Sequence, residues 1–173
     1  MKIKFLSLIL GSFVLLSCGG QTNQSEITST TIKDTSQIAI IPYDIKKHFW
    51  IYDQAQATDL SKEELVQVET IFQNIVAKYN IDMKKRIRKE TNDSNEIENS
   101  ELYIVPDTYK RQYLPVITQD GEKEVWVNCF CKNFGDSWKH NVIQVFDGGK
   151  CYFNVKINLK YGTAYHFKVN GSS

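Results

Sequence analysis

Apolar residues recur at spacings of three and four through Leu65, Val68, Phe72, Ile75, Val76 and Tyr79. That period predicts an amphipathic helix with one apolar stripe. Its start is specified locally: Ser61 and Glu64 have capping-box spacing, and Leu60 and Leu65 flank them as a hydrophobic staple. The stripe runs out near Asn80, where the helix is expected to end. Further on the period becomes two. Cys151, Phe153, Val155, Ile157 and Leu159 alternate with Tyr152, Asn154, Lys156 and Asn158, the pattern of a half-buried strand. Asp120-Gly121 marks a two-residue hairpin between residues 109–118 and 122–131, and Asp147-Gly148-Gly149 and Lys160-Tyr161-Gly162 each suit a three-residue hairpin with glycine third. The expected fold is α+β, with one amphipathic helix packed on an antiparallel meander sheet of about four to five strands.

Hairpin register assigns the faces, because side chains alternate with period two. The turn at Asp120-Gly121 pairs Val125 with Val116 and Val127 with Leu114. The turn at 160–162 pairs Ile157 with Tyr165, Val155 with Phe167 and Phe153 with Val169, and the turn at 147–149 adds Ile143 and Val145 as a further strand. Val125, Val127, Phe153 and Val155 then face the helix, and Cys129, Cys131 and Cys151 share their side. The other face of the first hairpin carries Tyr113, Pro115, Ile117, Trp126, Asn128 and Phe130, where a solvated face should be polar. Either the aromatic segment Phe49–Tyr52 or the run Ile38–Ile41 covers it as a second layer, or it is an interaction surface with Tyr113, Ile117, Trp126 and Phe130 as its contacts.

Composition adds an address. Lys2 and Lys4 precede an apolar run from Phe5 to Leu16, about twelve residues, too short to cross a bilayer and suited to a secretory signal. The run closes on Leu15-Leu16-Ser17-Cys18, which resembles the lipobox of bacterial lipoproteins. The resemblance implies cleavage after residue 17, lipidation of Cys18 and anchoring to a bacterial membrane, the outer membrane first. Residues 18–37 are polar and rich in Ser, Thr and Gln, and read as the lipidated cysteine and a flexible tether spanning about 25 Å as a coil. Residues 38–173 form a single domain. Removing residues 1–17 leaves 19 basic against 20 acidic residues, a near-neutral chain without the basic field that nucleic-acid binding needs. Residues 82–101 run from a basic cluster (Lys84 to Lys89) to an acidic one (Glu90 to Glu101), read as a solvated helix end and loop.

Candidate chemistry is sparse. Cys129 and Cys131 sit at i and i+2 of one strand, with parallel Cβ vectors, and should not bridge each other. A bridge from either to Cys151 needs adjoining strands, and a strand at 143–145 would keep them apart, so buried free thiols are expected. An oxidising compartment favours the bridge as the alternative. No metal site is expected, since the spacing of cysteines and of His48, His140 and His166 fits no standard ligand set. None of the three histidines lies beside a nucleophile, Asp44 and Asp53 form no recognisable carboxylate pair, and no phosphate loop is present, so no catalytic residue and no cofactor are assigned.

The pattern WVNCFCKNF…SWKHNVIQVFDGGKCYFNVKINL…YHFKVNG, over residues 109–171, resembles a group of small bacterial lipoproteins and secreted proteins with no assigned activity. The order of helix then meander is similar in outline to cystatins, which insert a Gln-x-Val-x-Gly hairpin into cysteine-protease clefts. Here Gln144-Val-Phe-Asp-Gly148 has Phe146 in place of the valine and lies on the second hairpin after the helix. The expected function is therefore a lipid-anchored cell-envelope binding or interaction module, its partners the membrane through the lipid and an envelope protein. A small envelope enzyme and, behind it, a protease inhibitor are the alternatives.

Overall fold

The computed structural model describes residues 35–90 and 102–171. Cys18, the signal segment, most of the tether and residues 91–101 of the charge run lie outside them. Eight elements follow in order: β1 (Ile38–Ile40), α1 (Ile45–His48), β2 (Gln56–Ala57), α2 (Lys62–Glu90), β3 (Lys110–Ile117), β4 (Lys123–Phe130), β5 (Tyr152–Asn158) and β6 (Thr163–Val169). The fold is α+β with one long helix, and β3 to β6 form the antiparallel meander. The sheet as a whole is mixed, which corrects the expectation of a purely antiparallel one. β1 runs parallel to β3 at its outer edge, and β2 pairs with the far end of β3 in the antiparallel sense. A parallel neighbour needs a long crossover, and the chain from β1 through α2 to β3 supplies it.

Helix α2 begins as its local chemistry dictates. Ser61 N–H donates to Glu64 Oε2 at 2.8 Å, and Glu64 N–H donates to Ser61 Oγ at 3.1 Å. Lys123 Nζ reaches both oxygens of Glu64 at 2.7 Å, tying the first turn to β4. Val68, Phe72 and Val76 are fully buried against Val125, Val127, Cys129, Phe153, Val155 and Ile157. The helix does not stop at Asn80 but continues to Glu90. Asn80 serves tertiary structure instead of a cap: its Nδ2 donates to Ile104 O at 2.7 Å, and Ile104 N–H donates to its Oδ1 at 3.0 Å.

Two hairpins differ from their expected register by one residue. Between β3 and β4 the pairs are Tyr113 with Val127, Leu114 with Trp126 and Val116 with Glu124. The connection is three residues long: Gly121 N–H donates to Thr118 O at 2.9 Å, and Gly121, at φ 74°, supplies the left-handed position. A two-residue type I′ turn would need a left-handed Asp120 as well, and Asp120 is not left-handed. The slip moves every β3 side chain to the opposite face. Tyr113 therefore joins the helix-side core, while Leu114 and Val116 lie with Trp126 on the other side. Between β5 and β6, Ile157 faces Ala164, and a bulge at His166 (φ 52°) restores the expected pairing of Phe153 with Val169.

The largest departure is in the middle of the meander. Residues 143–145 form no strand, and β4 pairs directly with β5, Cys129 opposite Phe153 and Phe130 opposite Tyr152. Chain 132–150 leaves the sheet and lies across its second face. Cys131 and Cys151 then meet at a Cα–Cα distance of 5.0 Å and form a disulfide, so the expectation of three free thiols is corrected; Cys129 alone stays reduced among the described cysteines. The second face is covered from both directions. Tyr43, Ile51 and Tyr52 pack on Leu114, Val116 and Trp126, while Ala39, Ile41 and Trp138 pack on Phe130. The molecule has three layers: α2, the sheet, and a coat of largely irregular chain from 41–55, which includes α1, and from 132–150.

Candidate functional site

The four residues expected to make an interaction surface do not come together as one. Tyr113 is fully buried on the helix side, and Ile117 is half-buried on that same face at the end of β3. Trp126 and Phe130 lie on the opposite face, both buried under the coat. The second-layer alternative describes this face, and the exposed-patch alternative is corrected. Exposed apolar surface occurs in the coat instead: Phe49 is 60%, Trp50 43% and Phe146 83% exposed.

Trp50 and Phe146 border a groove between the two arms of the coat. One arm is built around α1. Asp44 caps it through Oδ1, which accepts from Lys46 N–H at 2.9 Å, and Asp44 N–H donates to His48 Nδ1 at 3.0 Å. Since Nδ1 accepts, the neutral ring carries its proton on Nε2. The arm is fastened by Tyr43 OH donating to Tyr52 O at 2.6 Å and by Lys156 Nζ donating to Ile51 O at 2.7 Å, above the Tyr52 ring. Trp50 is fixed twice: Nε1 donates to Lys47 O at 3.0 Å, and its ring stands at 86° to Trp126 with centroids 5.6 Å apart.

The other arm, residues 138–147, is held by buried amides. Gln112 Nε2 donates to Trp138 O at 2.5 Å and to Asn141 O at 2.7 Å, while its Oε1 accepts from Ile143 N–H at 2.9 Å and Asn128 Nδ2 at 3.0 Å. Asn128 Nδ2 also donates to Ile143 O at 2.8 Å, and Asn170 Nδ2 to Val145 O at 2.6 Å. The carbonyls of an irregular segment are thus satisfied by side chains where a strand would use a ladder.

Between the arms lie two cavities, of about 410 Å³ and about 190 Å³. Both are lined by Trp50 and Gln144. The larger reaches Tyr43, Asp44, His48, His140 and Asn141; the smaller reaches Trp126, Asn154, Phe146, Lys168 and Asn170. Burial lowers the His48 pKa below its ordinary value, with Asp44 opposing and Lys47 assisting. The unfolded chain therefore takes up this proton first as pH falls. The neutral ring's contribution to stability is complete above the ordinary 6.5 and is lost as pH drops below it. The full chain is expected to melt at lower temperature at pH 5.5 than at pH 7.5. His48→Asn, whose Oδ1 can replace Nδ1 as acceptor, should flatten that dependence; parallel curves for the two proteins would remove His48 as its source.

A second polar cluster lies on the same face. Buried Glu124 accepts from Tyr165 OH, and from Asn158 Nδ2 at 3.2 Å. Burial and this carboxylate push the Tyr165 phenol well above its usual range. Both oxygens of Glu124 are engaged by the protein itself, which makes the cluster structural. Burial likewise pushes the Cys129 thiol up, well away from the low pKa of a nucleophile. Among the described residues no three histidine, cysteine, aspartate or glutamate side chains are grouped to hold a metal, and no helix is long and apolar enough to cross a membrane. No protein-family model matches the chain, and no curated protein or solved structure matches it.

Sequence reasoning singled out the aromatic run at 49–52 as a cover and missed that it is divided. Ile51 and Tyr52 point into the coat, while Phe49 and Trp50 are left exposed, Trp50 at the groove. The only sequence signal was the density of aromatic residues; which pair turns outward is set by the Tyr43 and Lys156 bonds to the backbone of 51 and 52.

Proposed function

We propose that the protein is a lipid-anchored module of the bacterial cell envelope that binds its ligand in the groove between the two arms of the coat. The observation that carries the reading is Trp50, a large apolar side chain locked in one orientation yet left half-exposed between two cavities. Aromatic anchors of this kind, rigid and partly dry, concentrate binding energy at recognition sites. The Cys131–Cys151 bridge supports an exported location, because such bonds persist in oxidising compartments. The lipobox-like Leu15-Leu16-Ser17-Cys18 supports lipidation at Cys18. The order α2, β3, β4, β5, β6 is cystatin-like in outline, with β1 and β2 added on the β3 edge. Gln144 to Gly148 does not form a hairpin tip, however, and Gln144 lines the groove, so binding in the groove is preferred to protease inhibition.

Two measurements test the reading separately. Expressed in a lipoprotein-processing bacterium, the full chain should incorporate a palmitate analogue and fractionate with membranes, and Cys18→Ala should do neither. Labelling that survives Cys18→Ala would defeat the anchor. For the groove, acrylamide quenching suffices, because Trp126 and Trp138 are buried and Trp50 is the accessible one of the three tryptophans. Envelope extract should protect Trp50 in the native protein. Unchanged quenching across all extract fractions would leave the groove without a ligand.

A further inference from the structure

We infer that the groove is a cleft for a neutral oligosaccharide, with a sugar ring stacked on Trp50 and at least one more ring in the neighbouring cavity. The inference rests on the reading that the groove binds a ligand, and it adds the ligand's chemical class. Three features of the lining converge on it.

The first is the platform. An indole face is the negative end of a quadrupole, and the C–H bonds on one side of a sugar ring present weakly positive hydrogens to it. Stacking of this kind gains most when the ring is already immobile. Trp50 has its N–H engaged by Lys47 O and its ring braced against Trp126, so little side-chain freedom remains to be lost.

The second is the type of polar group. A sugar hydroxyl both donates and accepts, and planar amides and imidazoles offer both functions from one side chain. Gln144, Asn141 and Asn154, with His140, are groups of this kind around Trp50, while His48, whose Nδ1 already accepts from Asp44 N–H, offers its Nε2–H as a donor. Gln144 lines both cavities and makes no hydrogen bond within the protein among the described residues. Asn154 Oδ1 accepts from Trp126 Nε1 at 3.3 Å, which leaves its NH₂ group for a ligand.

The third is charge. Asp44 has Lys47 Nζ at 3.9 Å and His48 is held neutral by burial, which leaves Lys168 of the smaller cavity as the one charge of the two linings without an opposite partner among them. A single lysine is not the cationic cluster that grips a phosphate or a polyanion, and the one carboxylate of the lining is already paired, which leaves nothing for a basic peptide. An extended peptide would instead seek unpaired backbone at a sheet edge, and the groove is walled by side chains on a sheet face. The larger cavity, at about 410 Å³, lies within the size range of small-molecule sites. The smaller cavity, about 190 Å³, shares Trp50 and Gln144 with it and offers a place for a further ring.

The test titrates the full chain, kept in a detergent without a sugar headgroup, with maltotetraose, cellotetraose and the tetramer of N-acetylglucosamine. Trp50 fluorescence and calorimetry are the readouts. At least one tetramer should bind, and at least tenfold more tightly than its monosaccharide. Trp50→Ala should weaken that binding at least tenfold and Gln144→Ala about fivefold, both proteins staying folded at the assay temperature. Trp50→Phe should fall between native protein and Trp50→Ala. Absence of binding by all three tetramers at millimolar concentration overturns the inference, as does binding that survives both alanine substitutions. If lipid vesicles of phosphatidylethanolamine and phosphatidylglycerol protect Trp50 while the sugars do not, the groove faces a membrane and the sugar reading falls. If envelope extract protects Trp50 but no tetramer binds, the ligand class falls alone and the groove keeps its ligand-binding role.

Discussion

Replacing Arg111 with methionine is expected to destabilise the fold by about 3–5 kcal/mol, the usual cost of removing one partner from a buried ion pair. The Arg111 and Glu69 side chains are only 7% and 4% exposed, with Nε and Oε1 3.3 Å apart. Neither of those two atoms makes a hydrogen bond. The guanidinium is held otherwise by Nη1 donating to Pro106 O at 3.2 Å and by its position over the Phe72 ring. The pair therefore has Coulomb attraction without the hydrogen-bond geometry that would offset two desolvations. Burial raises the Glu69 carboxyl above its ordinary value, with Arg111 only partly opposing it.

A raised folded pKa means that the charged form is the costly one, and the cost grows as pH climbs above the ordinary 4.5. Arg111→Met should thus be most damaging at neutral pH and less so near pH 4. The double variant Glu69→Leu/Arg111→Met removes both charges, and it should recover most or all of native stability at pH 7. Urea unfolding of the four proteins of this cycle, at pH 7 and pH 4.5, measures both statements. A single variant within 1 kcal/mol of native, or a double variant as damaged as the single, would mean that the pair is solvated in solution or that shape, not charge, governs the site.

What could be read in advance divides by range. The start of α2 was legible because Ser61 and Glu64 act within one turn, and the helix-facing side of β4 and β5 was legible because alternation needs no knowledge of partners. The faces of β3 were not. They depended on whether the loop at Gly121 had two residues or three, and Asp-Gly is compatible with either until the backbone of Asp120 is known. The extension of α2 past Asn80 was hidden because the bond from Asn80 to Ile104 spans 24 positions. Within the excursion 132–150, Ile143 and Val145 predict a strand by an alternation that is genuine. What decides against a strand is Gln112 and Asn128, two polar residues of β3 and β4 that take the hydrogen bonds a strand would have made. The groove inherits this blindness: one wall is that excursion, and the other depends on which of four consecutive aromatic and aliphatic residues turns outward.

Removing the disulfide, as Cys131→Ala/Cys151→Ala, is expected to cost about 3 kcal/mol, the loop-entropy value for a closed loop of this size, the cysteines being 20 positions apart. The double substitution leaves no new thiol to mispair with Cys129, which is buried and held protonated. The location of the loss should be as informative as its size. The bridge closes the excursion at its base, where Cys131 N–H donates to Cys151 O at 3.0 Å and continues the β4–β5 ladder. Within the closed loop lie Trp138, packed on Phe130 with centroids 5.8 Å apart, and the groove wall at Asn141 and Gln144. Opening the loop enlarges the denatured ensemble, and it also loosens the segment that carries Trp138 onto Ala39, Ile41 and Phe130. Urea midpoints should fall on substitution and fall equally for the native protein in a phosphine reductant, while the substituted protein is indifferent to reductant. Acrylamide should then quench a second tryptophan besides Trp50 well below the unfolding transition. Equal midpoints with and without the bridge would show that the Gln112 and Asn128 bonds alone hold the excursion. An unchanged quenching profile alongside a lowered midpoint would place the whole effect in the unfolded chain and leave the groove wall intact.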